Sequence, residues 1–235
     1  MTAVPLPRRL LAEALGSALL LAAIVGSGIM ADRLADGAIA LALLANSVAT
    51  GATLAVLILV LGPISGAHLN PVVTLVGALE KRLSWSAAMA YGVVQVGGAI
   101  TGVVLAHAMF GAPLLEVSAT ARSGFGQLVS EAVATFGLVL VVIGTQRVAA
   151  AATPYAVGLY ILSAYWFTAS TSFANPAVTI ARSFTTSFAG IAPADVPGFI
   201  AAQLLGALLA FALAQALWPL RTASEPLPAP LPRGP

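Results

Sequence analysis

Two asparagine–proline pairs, Asn70-Pro71 and Asn175-Pro176, are the residues of this 235-residue chain best suited to handling a solute. The first stands in Ser65-Gly66-Ala67-His68-Leu69-Asn70-Pro71-Val72-Val73-Thr74, the second in Phe173-Ala174-Asn175-Pro176-Ala177-Val178-Thr179. Asparagine is a favoured N-cap, because its side-chain oxygen accepts an amide proton from the first helical turn. Proline suits the next position, where its fixed φ matches a helix and its missing N–H costs nothing. Each pair therefore predicts a helix start and leaves the asparagine amide nitrogen as a donor. Two such donors on a common space would hydrogen-bond a passing uncharged molecule. Bond-making chemistry has no candidates: there is no Ser/His/Asp arrangement, no phosphate-binding loop with its lysine and no His/carboxylate cluster. No cofactor, metal or nucleic-acid partner is expected, and no enzyme.

The surrounding chain predicts a membrane. Hydrophobic residues make up 60% and charged residues 8%, the net charge is +2 and cysteine is absent; the mean hydropathy is +1.00. Such a balance lies far from that of soluble domains. Runs of about 20 apolar residues, enough to cross a bilayer core, place spans at Leu10–Ala31, Ala38–Leu61, Trp85–Phe110, Gln127–Val148, Pro154–Ala169 and Gly198–Trp218. The first run continues past the length of a signal-peptide core and is read as a span. Gly62-Pro63 is expected to break the second span. Asn70–Leu79 and Pro176–Phe184 are too short to cross. The proline-rich stretch 221–235 is expected to be disordered.

The two halves echo one another. Glu13 matches Glu131, Gln95 matches Gln203, and the Asn-Pro segments match in order. Three spans per half is an odd number, so the second half must enter the membrane upside down. That makes an inverted repeat about an axis in the membrane plane: residues 8–112 and 124–220 of a single channel domain, 1–220. The two short helices then enter from opposite faces and meet at mid-membrane. Arg8, Arg9, Lys81, Arg82, Arg147, Arg221 and Arg233 fall on one side, and Arg33, Arg122 and Arg182 on the other. The positive-inside rule puts both termini in the cytoplasm.

Backbone that leaves its helix at membrane depth must be buried in protein or line water. Two half-helices converging by their N-termini place partial positive charge at the centre, which opposes cations and protons while the asparagines donate to neutral solutes. An ion-coupled transporter also uses broken inverted repeats and is the rival reading.

The paired Asn-Pro motifs, the paired glutamates and the paired glutamines resemble the aquaporin, or major intrinsic protein, family over Leu10–Trp218. The resemblance implies an all-α membrane protein of six tilted helices and two half-helices, one pore per protomer and a homotetramer in the plasma membrane. The pore motif then comprises Asn70, Pro71, Val72, Asn175, Pro176 and Ala177. Glu13 and Glu131 are implied to support the irregular loops, and His68 to line a vestibule. The family's selectivity filter falls, by offset from the motifs, on Thr50, Ser163, Ser172 and Val178. Water-selective members carry a bulky aromatic, a histidine and an arginine there, and glycerol channels keep the arginine. A ring of Thr, Ser, Ser and Val reads as wide, uncharged and mildly polar. It resembles a bacterial subgroup, associated with arsenicals, in which valine replaces that arginine. Glycerol, water and neutral metalloid hydroxides such as arsenious acid are the expected solutes, with organic oxyacids conceivable; a water-selective pore is the alternative. Arg182 is the second vestibule candidate. Standing one turn beyond Val178, it is expected to snorkel to the water interface instead of joining the ring.

Overall fold

The computed structural model describes residues 4–218, so the stretch 221–235 lies outside the described residues. The helices are α1 (Leu6–Leu34), α2 (Ile39–Ser65), α3 (Pro71–Leu79), α4 (Trp85–Phe110), α5 (Phe125–Val148), α6 (Thr153–Phe167), α7 (Pro176–Ala181) and α8 (Val196–Leu217). Four of these, α1, α2, α4 and α5, together with the stretch Pro193–Leu217 that contains α8, are long and apolar enough to cross a membrane. With only 15 residues, α6 spans about 22 Å at 1.5 Å per residue. A 3-10 turn over Ala150–Ala152 leads into it.

Several helix ends differ by a few residues from the sequence reading, and two helices differ most. The second span does not stop at Gly62-Pro63: α2 continues with Pro63 inside it. So close to the helix end, proline forfeits a single backbone bond. Termination falls to Gly66 at φ 91°, a left-handed conformation that a side chain would strain, and its N–H closes the helix on the Gly62 carbonyl at 2.9 Å. At both of its ends α1 also runs on, taking in Arg8, Arg9, Asp32 and Arg33. Charges at helix ends lie beyond the apolar core and need not end the helix.

The halves pack alike. In the first, α1 lies against α4; in the second, α5 lies against α8; α2 and α6 join the halves. Both intra-half crossings bring backbones into direct approach at a glycine. A Cβ on Gly98 would collide with the Ala14 carbonyl, and one on Gly206 with the Ala132 carbonyl. Gly97, by contrast, faces open space. Small residues let helices approach closely where there is no water to drive apolar association. Large apolar side chains such as Leu11, Val60, Met89, Val93, Phe125 and Leu159 point outward, as a lipid- or subunit-facing surface requires.

At one end of the bundle, Glu80 beyond α3 accepts from Arg147 Nη2 at 2.7 Å and pairs with Arg82. This ties a half-helix end to α5. The expected effect of Gly98→Val is loss of the α1–α4 crossing. The steric cost is about 3 kcal/mol or more, read as a lowered melting temperature and reduced yield of purified protein in detergent.

Candidate solute pore

Each half-helix begins as its sequence dictates. Asn70 Oδ1 accepts from the Val72 N–H at 3.0 Å, and Asn175 Oδ1 from the Ala177 and Val178 N–H groups at 2.9 and 3.3 Å. Pro71 and Pro176 open α3 and α7. The asparagine amides then cross between the halves. Asn70 Nδ2 donates to the Ala174 carbonyl and Asn175 Nδ2 to the Leu69 carbonyl, both at 2.8 Å. Each amide nitrogen carries two hydrogens, so one remains for a solute.

The loops leading into the half-helices are strained and buried. Ala67 and Leu69 have φ of 45° and 50°, and Ser172 and Ala174 have 52° and 49°. Non-glycine residues in that region cost about 1–3 kcal/mol each unless their surroundings enforce it. Two carboxylates do the enforcing. Glu13 accepts from the His68 and Leu69 N–H groups at 2.9 and 2.7 Å. Glu131 accepts from the Phe173 and Ala174 N–H groups at 2.8 and 2.9 Å. Gln95 Nε2 links Glu13 to Thr74 Oγ1, and Gln203 Nε2 links Glu131 to Thr179 Oγ1, at 2.6–2.9 Å. Both glutamates are fully buried and off the cavity wall, where they hold backbone.

A cavity of about 70 Å³ runs past the paired asparagines. Three helices line it with one side chain per turn: Thr50, Leu54 and Ile58 of α2; Leu138, Val142 and Gln146 of α5; Thr153, Val157, Ile161 and Tyr165 of α6. Leu20 and Ile24 of α1 close the wall. Residues four apart share a helix face, so each of these three helices contributes a stripe. Asn70, Asn175, His68, Ser172, Val178 and Arg182 supply the rest of the polar and loop lining. His68 sits half-buried, its Nδ1 3.1 Å from Thr74 Oγ1. Pro71, Val72, Pro176 and Ala177 stay off the wall; Val72 packs against Val139 and Ile143.

Of the four filter positions, Thr50, Ser172 and Val178 lie on the cavity wall and Ser163 does not. Ser163 is exposed and turns its hydroxyl to the Tyr160 carbonyl. An offset counted back from Asn175 crosses the loop 168–174 and loses the helical phase; Ser163 stands two residues, about 200°, from the lining Ile161 and Tyr165. Tyr165 takes that place, and its hydroxyl donates to Thr50 Oγ1 at 3.2 Å. The four-residue stripe Thr153, Val157, Ile161, Tyr165 is the sequence signal that identifies it.

Arg182 overturns the expectation of an interfacial side chain. It is only 2% exposed, lines the cavity and holds its guanidinium carbon 3.4 Å from the centroid of the Phe173 ring. Helical side chains lean toward their own N-terminus. The N-terminus of α7 lies at the centre of the bundle, so leaning back carries Arg182 inward by about one turn. Its Nε donates to the Ala189 carbonyl of the loop that folds over it. The ring is therefore neither uncharged nor without an aromatic neighbour.

A second arginine arrives from the loop between the halves. The loop 111–124 pairs with the segment after α7 through Ser118 N to Ser183 O at 2.9 Å and Ala192 N to Thr120 O at 2.7 Å. That placement brings Arg122 within 4.9 Å of the same Phe173 centroid. Its guanidinium donates to the Gly190, Ser170 and Phe188 carbonyls at 2.7–3.4 Å. Burial pulls its pKa below the ordinary arginine value, and the Glu131 carboxylate works the other way. Nothing in the local sequence of that loop points to this role; only the fold reveals it.

Glu131→Gln is expected to leave a buried donor facing another donor beside Phe173 and Ala174. Each unsatisfied group costs about 1–3 kcal/mol. Thermal unfolding in detergent would show the loss, and Glu13→Gln should cost at least as much, because Glu13 accepts the matching bonds and one more, from the Ser65 hydroxyl at 2.6 Å.

Residues 1–149 match the family model for the major intrinsic protein. The aquaglyceroporin AqpS of Rhizobium meliloti (strain 1021) is 59% identical over 209 residues, covering 88% of this chain and 89% of its own. A glycerol uptake facilitator protein of Streptococcus pneumoniae (strain ATCC BAA-255 / R6) is 34% identical over 127 residues, 48% of this chain and 54% of its own. In fold, the X-ray structure of the aquaglyceroporin from Plasmodium falciparum aligns with a TM-score of 0.70 at 20% identity, over 92% of this chain and 98% of that one. With half-helices capped by paired asparagines around a lined cavity, this chain belongs to the major intrinsic protein family, whose members are multi-pass membrane channels and not enzymes.

Proposed function

We propose that the chain is a passive channel for small uncharged hydroxylated solutes, with glycerol and water foremost and neutral metalloid hydroxides such as arsenious acid in the same class. The observation that carries this reading is the cavity itself. Its apolar stripes strip water from a solute, while Asn70, Asn175, Thr50 and Ser172 offer hydrogen bonds at intervals. A polyol presents one hydroxylated edge and one carbon edge, and such a wall suits both. Val178 occupies the place of the family's filter arginine and presents only methyl groups, which leaves space for a solute larger than water. The names of two relatives, an aquaglyceroporin and a glycerol uptake facilitator, point the same way. Val178 is also the basis for extending the solute class to arsenicals.

The channel is placed in the plasma membrane, as one domain over residues 1–220 built from repeats 8–112 and 124–220, with both termini cytoplasmic and four protomers assembled. The balance of basic residues supports the orientation. The apolar side chains exposed on the outer helices support burial in lipid or against neighbours.

A water-selective pore is the second reading, and it is favoured by Tyr165 and Arg182, which bring aromatic bulk and charge to the filter level. Light scattering of proteoliposomes separates the two. Under the first reading, glycerol entry is rapid and Val178→Arg slows it at least about tenfold, the change that about 1.4 kcal/mol of added barrier produces. Rapid water flux with no glycerol entry, unaltered by Val178→Arg, would sink it in favour of the second.

A further inference from the structure

The Arg182 end of the cavity carries donors without matching acceptors. Only Nε of Arg182 is used, by the Ala189 carbonyl. Neither terminal nitrogen has a partner among the described residues, and Nη1 is wholly enclosed. Ser172, 2% exposed and on the same wall, has a hydroxyl with no partner. Thr50 accepts from Tyr165 and keeps its own proton free. Neither arginine makes an ion pair: both ion pairs among the described residues belong to Glu80, Asp195 accepts only the Arg122 backbone N–H, and Glu131 acts on the guanidiniums through space without bonding them. Glu131 is spent on Phe173, Ala174 and Gln203. Arg122 adds a second positive charge beside the same aromatic ring, its own donors turned to backbone carbonyls.

A buried cation without a counter-charge is costly, and a charge-bearing acceptor relieves that cost. A planar guanidinium offers paired N–H groups that fit two oxygens at once. We propose that the guanidinium of Arg182 and the hydroxyls of Ser172 and Thr50 form a binding site for one small monovalent oxyanion, with Arg122, over the same Phe173 ring, strengthening the local positive field. The bound ion stands in the solute path, so occupancy slows the flux of neutral solutes. The consequence for flux rests on the channel reading above; the binding site does not.

The test compares glycerol entry into proteoliposomes in sodium chloride and in sodium nitrate at equal ionic strength. Nitrate is the probe because it is monovalent, planar and has no neutral acid form at neutral pH. Wild-type entry should slow saturably, by at least about twofold when more than half the sites are filled, and Arg182→Gln should bring the nitrate-to-chloride ratio to one. Arg182→Lys keeps charge without the planar face and should need more nitrate for the same slowing, as should Arg122→Gln. Equal wild-type rates in the two salts overturn the proposal, and so does full nitrate sensitivity in Arg182→Gln. Melting of the detergent-solubilised protein is the second readout. Nitrate should raise the wild-type melting temperature relative to chloride and should not do so in Arg182→Gln. If glycerol fails to enter in either salt, the solute reading fails, and this melting comparison alone decides the anion site.

Discussion

The structure depends on satisfying backbone amides where no water can reach. Two segments leave their helices in the middle of a bundle, and each exposes N–H groups that would otherwise be orphaned at a cost of several kcal/mol apiece. Glu13 and Glu131 answer them with carboxylate oxygens, and Gln95 and Gln203 fasten those carboxylates to the half-helices they serve. Once the loops are held, the left-handed residues Leu69 and Ala174 aim their carbonyls across the molecular centre. The asparagines then have something to grip. Remove the carboxylates and the pore wall has no reason to keep its shape.

That framework was legible in the sequence because it is symmetric. Two Asn-Pro pairs, two glutamates and two glutamines in the same order expose a repeat, and an odd number of spans per repeat inverts it. Hydropathy then places the spans. What remained hidden has a common cause. An offset from Asn175 to Ser163 runs through a loop, and loops do not conserve helical phase; Tyr165, on the lining stripe, faces the cavity. The Cα of Arg182 lies one turn beyond Val178, but a long side chain reaches by its direction, which spacing in the sequence does not give. Arg122 comes from a connector whose path across the segment after α7 is set by backbone bonds between Ser118 and Ser183 and between Thr120 and Ala192. No local pattern encodes it.

Charge and an aromatic ring give the filter level of the cavity its character. Its polar lining is Thr50, Tyr165 and Ser172, its apolar face is Val178, and its charge comes from Arg182, one turn beyond Val178. Val178 and Arg182 stand on the same wall but present different things, methyl groups in one case and a charge in the other.

The reciprocal bonds from Asn70 to Ala174 and from Asn175 to Leu69 also bear on how the protein is made. Synthesis delivers the first repeat well before the second. Until α7 arrives, Asn70 has no carbonyl to hold and Leu69 has no amide to accept, so the first re-entrant loop must wait inside the membrane half-finished. Closure of the pore centre is thus a late event in biogenesis, and a chain truncated between the repeats would leave the insertion machinery with a polar loop that nothing else in the chain can complete.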